Sequence, residues 1–375
     1  MKKTRQLAWG AVSMTRFAAR HARTWKKRVG GGAAGAKRSC VTDAYAKAGV
    51  NIDAGNDAVA RYREVLPKQR DPRVLEGIGG FGGCFALTGF ADPVLVASTD
   101  GVGTKLLVAV ELRRYDTIGR DLVNHCINDI LCLNAGPLFF LDYLAVGRLD
   151  PVMAAAVVGG IGAACADNGM ALLGGETAEM PGLYQPAHFD LAGTIVGGVE
   201  RAQLIDVTRV AAGDVLIGLP ANGFHTNGYS LVRHTLPPSR WSERCDGGSI
   251  GDALLAVHPS YLPVIRAAQA AGVDIKAMAH ITGGGLLDNV PRALPAGVAA
   301  RLHPERWHVP PIMELVVREA KLEREVAFRT FNMGIGFCAI VPAGELEKAL
   351  PAMPGSVAIG EIVAHEADAP RVVIA

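Results

Sequence analysis

Several things are missing from this 375-residue sequence, and each absence narrows what the chain does. No apolar run approaches the roughly 20 residues of a membrane span; the longest, around 154–166, is interrupted by glycines, so a soluble protein with no membrane partner is expected. There is no Cys-x-x-Cys, and the seven cysteines (Cys40, Cys84, Cys126, Cys132, Cys165, Cys245, Cys338) are odd in number and scattered, with no Cys/His cluster at zinc-like spacing. That argues against a disulfide framework and for reduced thiols in a cytosol-like compartment. Acidic residues are absent from the first 38 positions, which hold eleven Lys or Arg. The rest of the chain carries 27 basic against 36 acidic residues, about −9, and lacks the clustered positive charge that a nucleic-acid binder needs.

Glycine is abundant, 45 residues or about 12% against a usual ~7%, without a three-residue period and among many Val, Ile and Leu, so it serves backbone geometry rather than a collagen-like or disordered chain. The length fits two domains. A basic arm over 1–42 is expected to be disordered; its Arg-rich, acid-free composition fits an organellar transit peptide, a tail, or an early start upstream of Met14. Apolar spacing predicts a helix over 56–66 capped at Asn56, a strand over 93–98, a helix over 116–133, a strand over 138–145 and a helix over 151–168. A strand over 171–173 runs into a glycine turn, and another follows at 189–199. A boundary falls near 207–213, where the cycle restarts. The expectation is an α+β protein of two domains, 43–206 and 207–375, each with an open mixed sheet and helices on one face.

Gly77-Ile78-Gly79-Gly80-Phe81-Gly82 matches G-x-G-x-x-G, but the polar Arg70-Asp71-Pro72-Arg73 upstream and the glycines downstream refuse a Rossmann turn. A glycine loop laying N–H groups against phosphate and a plain surface loop both stay open. Thr99-Asp100-Gly101-Val102-Gly103-Thr104-Lys105 puts a hard oxygen ligand, flexible backbone and a cation within a few residues, as a magnesium–phosphate site requires, although the first glycine of a Walker A loop is missing. Asp100, Asp129 and Glu176 suffice as Mg²⁺ ligands; each alone also reads as a cap or a solvated group. His225 is read as a phosphate donor or proton carrier, or as part of a capping loop with Asn227 and Ser230; His125 is read as a packed or capping histidine.

These strings, with Tyr45-Ala46-Lys47-Ala48-Gly49-Val50, Gly174-Gly175-Glu176-Thr177-Ala178-Glu179-Met180-Pro181-Gly182, His225-Thr226-Asn227-Gly228-Tyr229-Ser230, Thr282-Gly283-Gly284-Gly285 and Arg329-Thr330-Phe331-Asn332, resemble the phosphoribosylformylglycinamidine cyclo-ligase (AIR synthetase) family, in order from about Tyr45 to the C-terminus. The resemblance implies an enzyme of purine biosynthesis that uses ATP and Mg²⁺ to close formylglycinamidine ribonucleotide to aminoimidazole ribonucleotide (AIR), as a cytoplasmic homodimer. It assigns phosphate binding to Gly79, Gly80, Phe81, Gly82, Gly103, Thr104 and Lys105, and metal binding to Asp100, Asp129 and Glu176. It assigns catalysis to Lys105, His225 and Asn227, and substrate contact to Thr177, Ser230, Gly284 and Asn332. The chain departs from the family pattern at Gly136, where Glu is usual, at Phe224, and at Val257-His258, where Pro-Thr is usual. Two rival readings stay open: a nucleotide-binding paralogue without turnover, and another small-molecule phosphoryl transferase of the superfamily.

Overall fold

Capping chemistry sets where the first long helix of the described residues begins. The computed structural model describes residues 47–68, 71–366 and 368–375, and the basic arm lies outside them. The Asn51 side chain accepts a hydrogen bond from the Ala54 amide and starts helix α1, Ile52–Val65, one turn earlier than the expected start at Asn56. Strands β1 (Val74–Glu76) and β2 (Cys84–Phe85) pair around the glycine loop 77–83. Then follow β3 (Pro93–Gly101), α2 (Lys105–Leu112), α3 (Ile118–Leu131), β4 (Gly136–Val146), α4 (Pro151–Asp167), β5 (Ala171–Glu179) and β6 (Phe189–Glu200).

The first sheet runs β3-β6-β4-β5, with β4 and β5 parallel and the other pairs antiparallel. Alternation sorts its faces. Val96, Phe140, Leu144, Leu191 and Ile195 are buried, whereas Leu95, Leu141 and Tyr143 are exposed. The expected turn after Leu173 is instead strand, because β5 stays in parallel register with β4 from Ala171 through Glu179. Helices α3 and α4 pack together through glycine: a Cβ on Gly119 would strike the Val157 carbonyl, and one on Gly160 the Asp116 carbonyl. Asp150 caps α4, accepting from the Val152 and Met153 amides, with Pro151 at its first position.

The second half holds β7 (Val215–Pro220), α5 (Tyr229–Thr235), a hairpin of β8 (Arg244–Cys245) and β9 (Gly248–Ser249), α6 (Ile250–Leu254), α7 (Leu262–Ala270), β10 (Ala277–His280), α8 (Gly285–Asn289) and β11 (Val298–Leu302). After these come α9 (Pro311–Glu319), α10 (Arg324–Thr330), β12 (Ile335–Val341), α11 (Leu346–Ala352), β13 (Val357–Ala364) and β14 (Val372–Ile374). Six strands form a second mixed sheet, β10-β12-β7-β13-β11-β14, whose β12, next to the edge strand β10, is buried along its whole length. Two open mixed sheets with helices match the expected α+β class, and residues 48–375 form one compact unit. Among the described residues no helix is long and apolar enough to cross a membrane.

The departure at Gly136 has a structural counterpart. Arg266 of α7 donates to Asn134 Oδ1 at 2.7 Å, the Asn134 carbonyl at 3.0 Å and Gln269 Oε1 at 2.7 Å, all neutral acceptors. Burial lowers its pKa with no carboxylate opposing the shift. A Cβ on Gly136 would stand 3.6 Å from Arg266 Nη2, an ordinary contact. Gly136→Glu is therefore expected to pair with Arg266 and raise stability by about 1 kcal/mol, roughly 2 °C in Tm. A melting point unchanged or lowered would rule out that pairing.

Candidate functional site at the seam of the two sheets

Helix α3 is amphipathic in an unusual sense: Asp121, Asn124, His125 and Asn128 are all buried. What they meet is the segment 256–261 of the second half. Asp121 accepts from the His258 amide at 2.8 Å, Asn124 donates to the His258 carbonyl at 2.7 Å, and Asn128 donates to the Pro259 carbonyl at 2.9 Å while accepting from the Tyr261 amide at 2.9 Å. Polar groups removed from water need such partners, and here each carbonyl and amide on one side finds an amide or acid on the other. The expected role of Lys105 as an open phosphate counter-charge is corrected by this geometry. Lys105 is fully buried, 2.8 Å from Asp121 and donating to the Ala256 carbonyl at 2.7 Å. Burial pushes both groups of the pair toward their neutral forms, and each one's charge opposes the shift in the other.

Next to this pair, Asp100 at the end of β3 and Asp129 at the end of α3 face one cavity of about 430 Å³, together with His125, His280, Asn289 and Arg292. Burial alone would raise the Asp100 carboxyl, but the hydrogen bond from His125 Nε2 at 2.6 Å and its charge bring it below the ordinary range. Asp129 behaves alike, with burial outweighed by His280 Nδ1 at 2.8 Å and by the charge of His125. Two ionised carboxylates around one histidine give a hard-oxygen donor set of the kind Mg²⁺ takes. Arg292, the one Lys or Arg among the lining residues, contacts Asn289 Oδ1 at 3.2 Å. The sequence missed Arg292, which stands in a motif-poor stretch, and His280, although it lies two residues before the glycine run that begins at Thr282.

Outside the lining, several predicted residues gather near Thr226, whose hydroxyl is 2.8 Å from His125 Nδ1. Thr104 Oγ1 is 3.2 Å from Ser230 Oγ, a Cβ on Gly103 would lie 3.7 Å from the Thr226 carbonyl, and one on Gly283 would lie 3.5 Å from Asn227 Oδ1. Gly103 and Gly284 have φ of 64° and 93°, the left-handed region where glycine is at home. His225 and Asn332 are interior residues instead. His225 is buried, stacked on His258 at 4.0 Å, and burial followed by the charges of His280, Lys105 and His125 holds its pKa well below the usual value, so it is a packed neutral ring rather than a proton carrier at a surface. Asn332 is buried and spent as a brace, donating to the Gly223 carbonyl and accepting from the Gly334 amide, both at 2.9 Å, which corrects its substrate role.

Glu176 does not join Asp100 and Asp129. Strand register aligns Asp100 with Gly193, Asp142 and Gly175, whereas Glu176 aligns with Tyr143 on the opposite, exposed face. Three strand spacings, roughly 14 Å, separate the two strands that carry them. The expected three-carboxylate metal site within one chain is therefore a two-carboxylate site. Glu176 and Thr177 line a second cavity of about 550 Å³ with Gly79, Gly80, Tyr62 and Asp142. Thr177 Oγ1 is 3.0 Å from the Tyr62 hydroxyl. Phe81 is fully exposed, and neither it nor Gly82 lines the cavity. The cavity has carboxylates and no Lys or Arg, so a glycine cradle there lacks the positive charge that phosphate wants. Burial pushes the Asp142 carboxyl up to about 7. Nothing in the alternating pattern of 138–145 marked it, because a carboxylate on the helix-facing side of a strand has no short-range signature.

The two open mixed sheets and their order define a protein of the AIR synthase class, and comparison with known proteins agrees. Residues 85–199 match the model of the AIR synthase related protein, N-terminal domain, and residues 211–373 that of the C-terminal domain; the chain belongs to this family. It is 50% identical over 305 residues to the phosphoribosylformylglycinamidine cyclo-ligase of Desulfitobacterium hafniense, covering 79% of this chain and 88% of that protein. It is 48% identical over 337 residues to the enzyme of the same name from Xanthomonas oryzae pv. oryzae, covering 86% and 98%. Among solved structures it is similar to hydrogenase maturation protein HypE in complex with ATP, with a TM-score of 0.59 and 18% identity over 79% of this chain and 84% of that one.

Two expectations follow from the buried charges. Lys105→Met strands Asp121 without its partner and is expected to cost about 3 to 5 kcal/mol in urea unfolding; a stably folded variant with only a raised KM for ATP would restore the phosphate role. Asp142 keeps its proton in the native state at pH values where the unfolded chain has lost it, so its contribution to stability falls as pH rises from about 4 through about 7. Asp142→Asn is expected to gain stability over the parent between pH 5 and pH 8, on the order of 2 kcal/mol. A pH-independent difference would show that the carboxyl titrates normally.

Proposed function

We propose that this chain is an ATP-dependent cyclo-ligase that converts formylglycinamidine ribonucleotide to AIR, with ADP and phosphate as products, in purine biosynthesis. The observation that carries the site assignment is the convergence of Asp100, Asp129 and Arg292 on one cavity at the seam between the sheets. The γ-phosphoryl group of ATP passes to the formamide oxygen, which turns that oxygen into a phosphate leaving group. The amidine nitrogen then bonds to the former formyl carbon, the carbon–oxygen bond breaks as phosphate leaves, and the nitrogen gives up its proton. Asp100 and Asp129 would hold a magnesium ion, which would neutralise phosphate charge there.

The chain's own groups do the positioning. Arg292 places a guanidinium against the transferring group, where charge stabilisation is worth most. Thr104, Asn227, Ser230 and the Gly103 and Gly284 backbones contact the ribonucleotide beside this cavity. The second cavity, with Gly79, Gly80, Glu176 and Thr177, suits the hydroxyl- and amine-bearing nucleoside rather than its phosphates, since its acids accept hydrogen bonds. The exposed apolar face of the first sheet, with Leu95, Leu141 and Tyr143, supports a homodimer in which a second copy covers it. The six described cysteines are all free, which supports a reducing, cytoplasmic setting.

The test follows ADP and AIR together from Mg²⁺-ATP and formylglycinamidine ribonucleotide. The parent is expected to release one ADP per AIR. Asp100→Asn and Arg292→Met are each expected to lower kcat/KM by about 100-fold or more without loss of Tm. Full activity in either variant would move the phosphoryl site elsewhere, and ADP release without AIR would change the acceptor.

A further inference from the structure

Behind the carboxylates, four histidines from four stretches of chain meet out of solvent: His125 on α3, His225 before α5, His258 after α6, and His280 at the end of β10. The His258 ring stacks on His225 at 4.0 Å and lies 5.4 Å from His125 and 5.1 Å from His280, centroid to centroid. His225 only buttresses the cluster. A Cβ at Gly336 would collide with its ring and with the Tyr261 hydroxyl, so a glycine keeps the space that the stack occupies.

Neighbouring hydrogen bonds decide where the protons are. Asn128 has its amide orientation fixed by the Tyr261 N–H on its oxygen and the Pro259 carbonyl on its nitrogen. Its second N–H then faces His258 Nε2 at 3.1 Å, so that nitrogen presents a lone pair and the ring proton sits on Nδ1, which has no partner among the described residues. Asp129 Oδ1 lies 2.8 Å from His280 Nδ1, which holds the proton of the neutral ring there and leaves Nε2 as a second lone pair. These two Nε2 atoms stand 3.1 Å apart. Two lone pairs at that separation repel unless a proton or a metal ion lies between them, and a metal ion would take the His258 lone pair from the Asn128 N–H, which keeps the Pro259 carbonyl. A ring nitrogen of His125 lies within 4.8 Å of both. Nitrogens bound tetrahedrally at about 2.0 to 2.1 Å from one ion are roughly 3.3 Å apart, so the pair needs to open only slightly.

We propose that His125, His258 and His280 form a binding site for a divalent transition ion of the zinc type, separate from the hard-oxygen site on Asp100 and Asp129. Imidazole nitrogen selects such ions over magnesium. Asp129 on His280 Nδ1 forms the carboxylate–histidine pair that orients a metal-bound ring. The cavity of about 430 Å³, lined by His125 and His280, provides the route in and room for a water as fourth ligand. The site ties α3 to the segment 256–261 and to β10, so the ion would fasten the two sheets at the place where the phosphoryl chemistry occurs.

The test uses the full chain, stripped with a chelator and titrated with Co²⁺ and Zn²⁺. One equivalent of Co²⁺ with the visible spectrum of a four-coordinate nitrogen-rich site is expected, displaced by Zn²⁺. His258→Asn is expected to weaken Zn²⁺ at least ~100-fold, as loss of a direct ligand should exceed the effect of losing an outer partner. Its folding is checked by Tm in chelator. Absence of stoichiometric binding in folded protein, undiminished binding in His258→Asn, or loss in Asp100→Asn with retention in His258→Asn would each overturn the assignment. Should His258→Asn fail to fold, the ring ¹⁵N shifts of the intact protein decide: Zn²⁺ is expected to move those of His125, His258 and His280, and unmoved shifts overturn the site.

Discussion

A buried charge pair organises the molecule. Lys105 and Asp121 hold each other at 2.8 Å with no access to water, and the remaining donors and acceptors of the pair are turned toward the Ala256 carbonyl and the His258 amide. Two charges out of water are expensive unless geometry and extra hydrogen bonds compensate, so the segment 256–261 has little freedom to sit anywhere else. Asn124 and Asn128 repeat the logic one and two turns further along α3. The close glycine packing of α3 on α4 fixes the helix from the other side, and Asp100, His125 and Asp129 inherit their spacing from it.

How much was legible in the sequence varied with the range of the interaction. Amphipathic and alternating patterns located the main helices and strands of the first half, because those patterns are local consequences of burying one face; most strands of the second sheet were not assigned, since strands buried on both faces, such as β12, show no alternation. Asp100 and Asp129 were also legible, since glycine turns beside acids at element ends signal ligand chemistry. Lys105 misled because a lysine beside a glycine loop looks solvated; only the long-range meeting with Asp121 and Ala256 reveals it as interior. Glu176 misled for a geometric reason: a strand that continues where glycines predicted a turn carries the carboxylate to the other face. His280 and Arg292 were invisible because their significance lies wholly in what the second half folds against.

The seam also separates two chemical environments. One cavity combines acids, histidines and a guanidinium, and suits charge transfer at phosphorus. The other has acids, glycines and hydroxyls without a cation, and suits neutral polar groups. A single nucleotide spanning both would be recognised by different forces at its two ends, which lets binding and chemistry be altered by substitutions at separate places.

The seam's partners are far apart along the chain: the contact between Asp121 and the His258 amide spans 137 positions. During synthesis at the ribosome, the first sheet and α3 emerge complete long before residue 261 exists. For that interval the Asp121, Asn124 and Asn128 side chains face water, and the Lys105 charge is hydrated rather than sealed. Native docking thus waits on translation of the second half, and a pause between the two halves would lengthen the life of an intermediate whose polar groove is open and whose first sheet still bares Leu95, Leu141 and Tyr143.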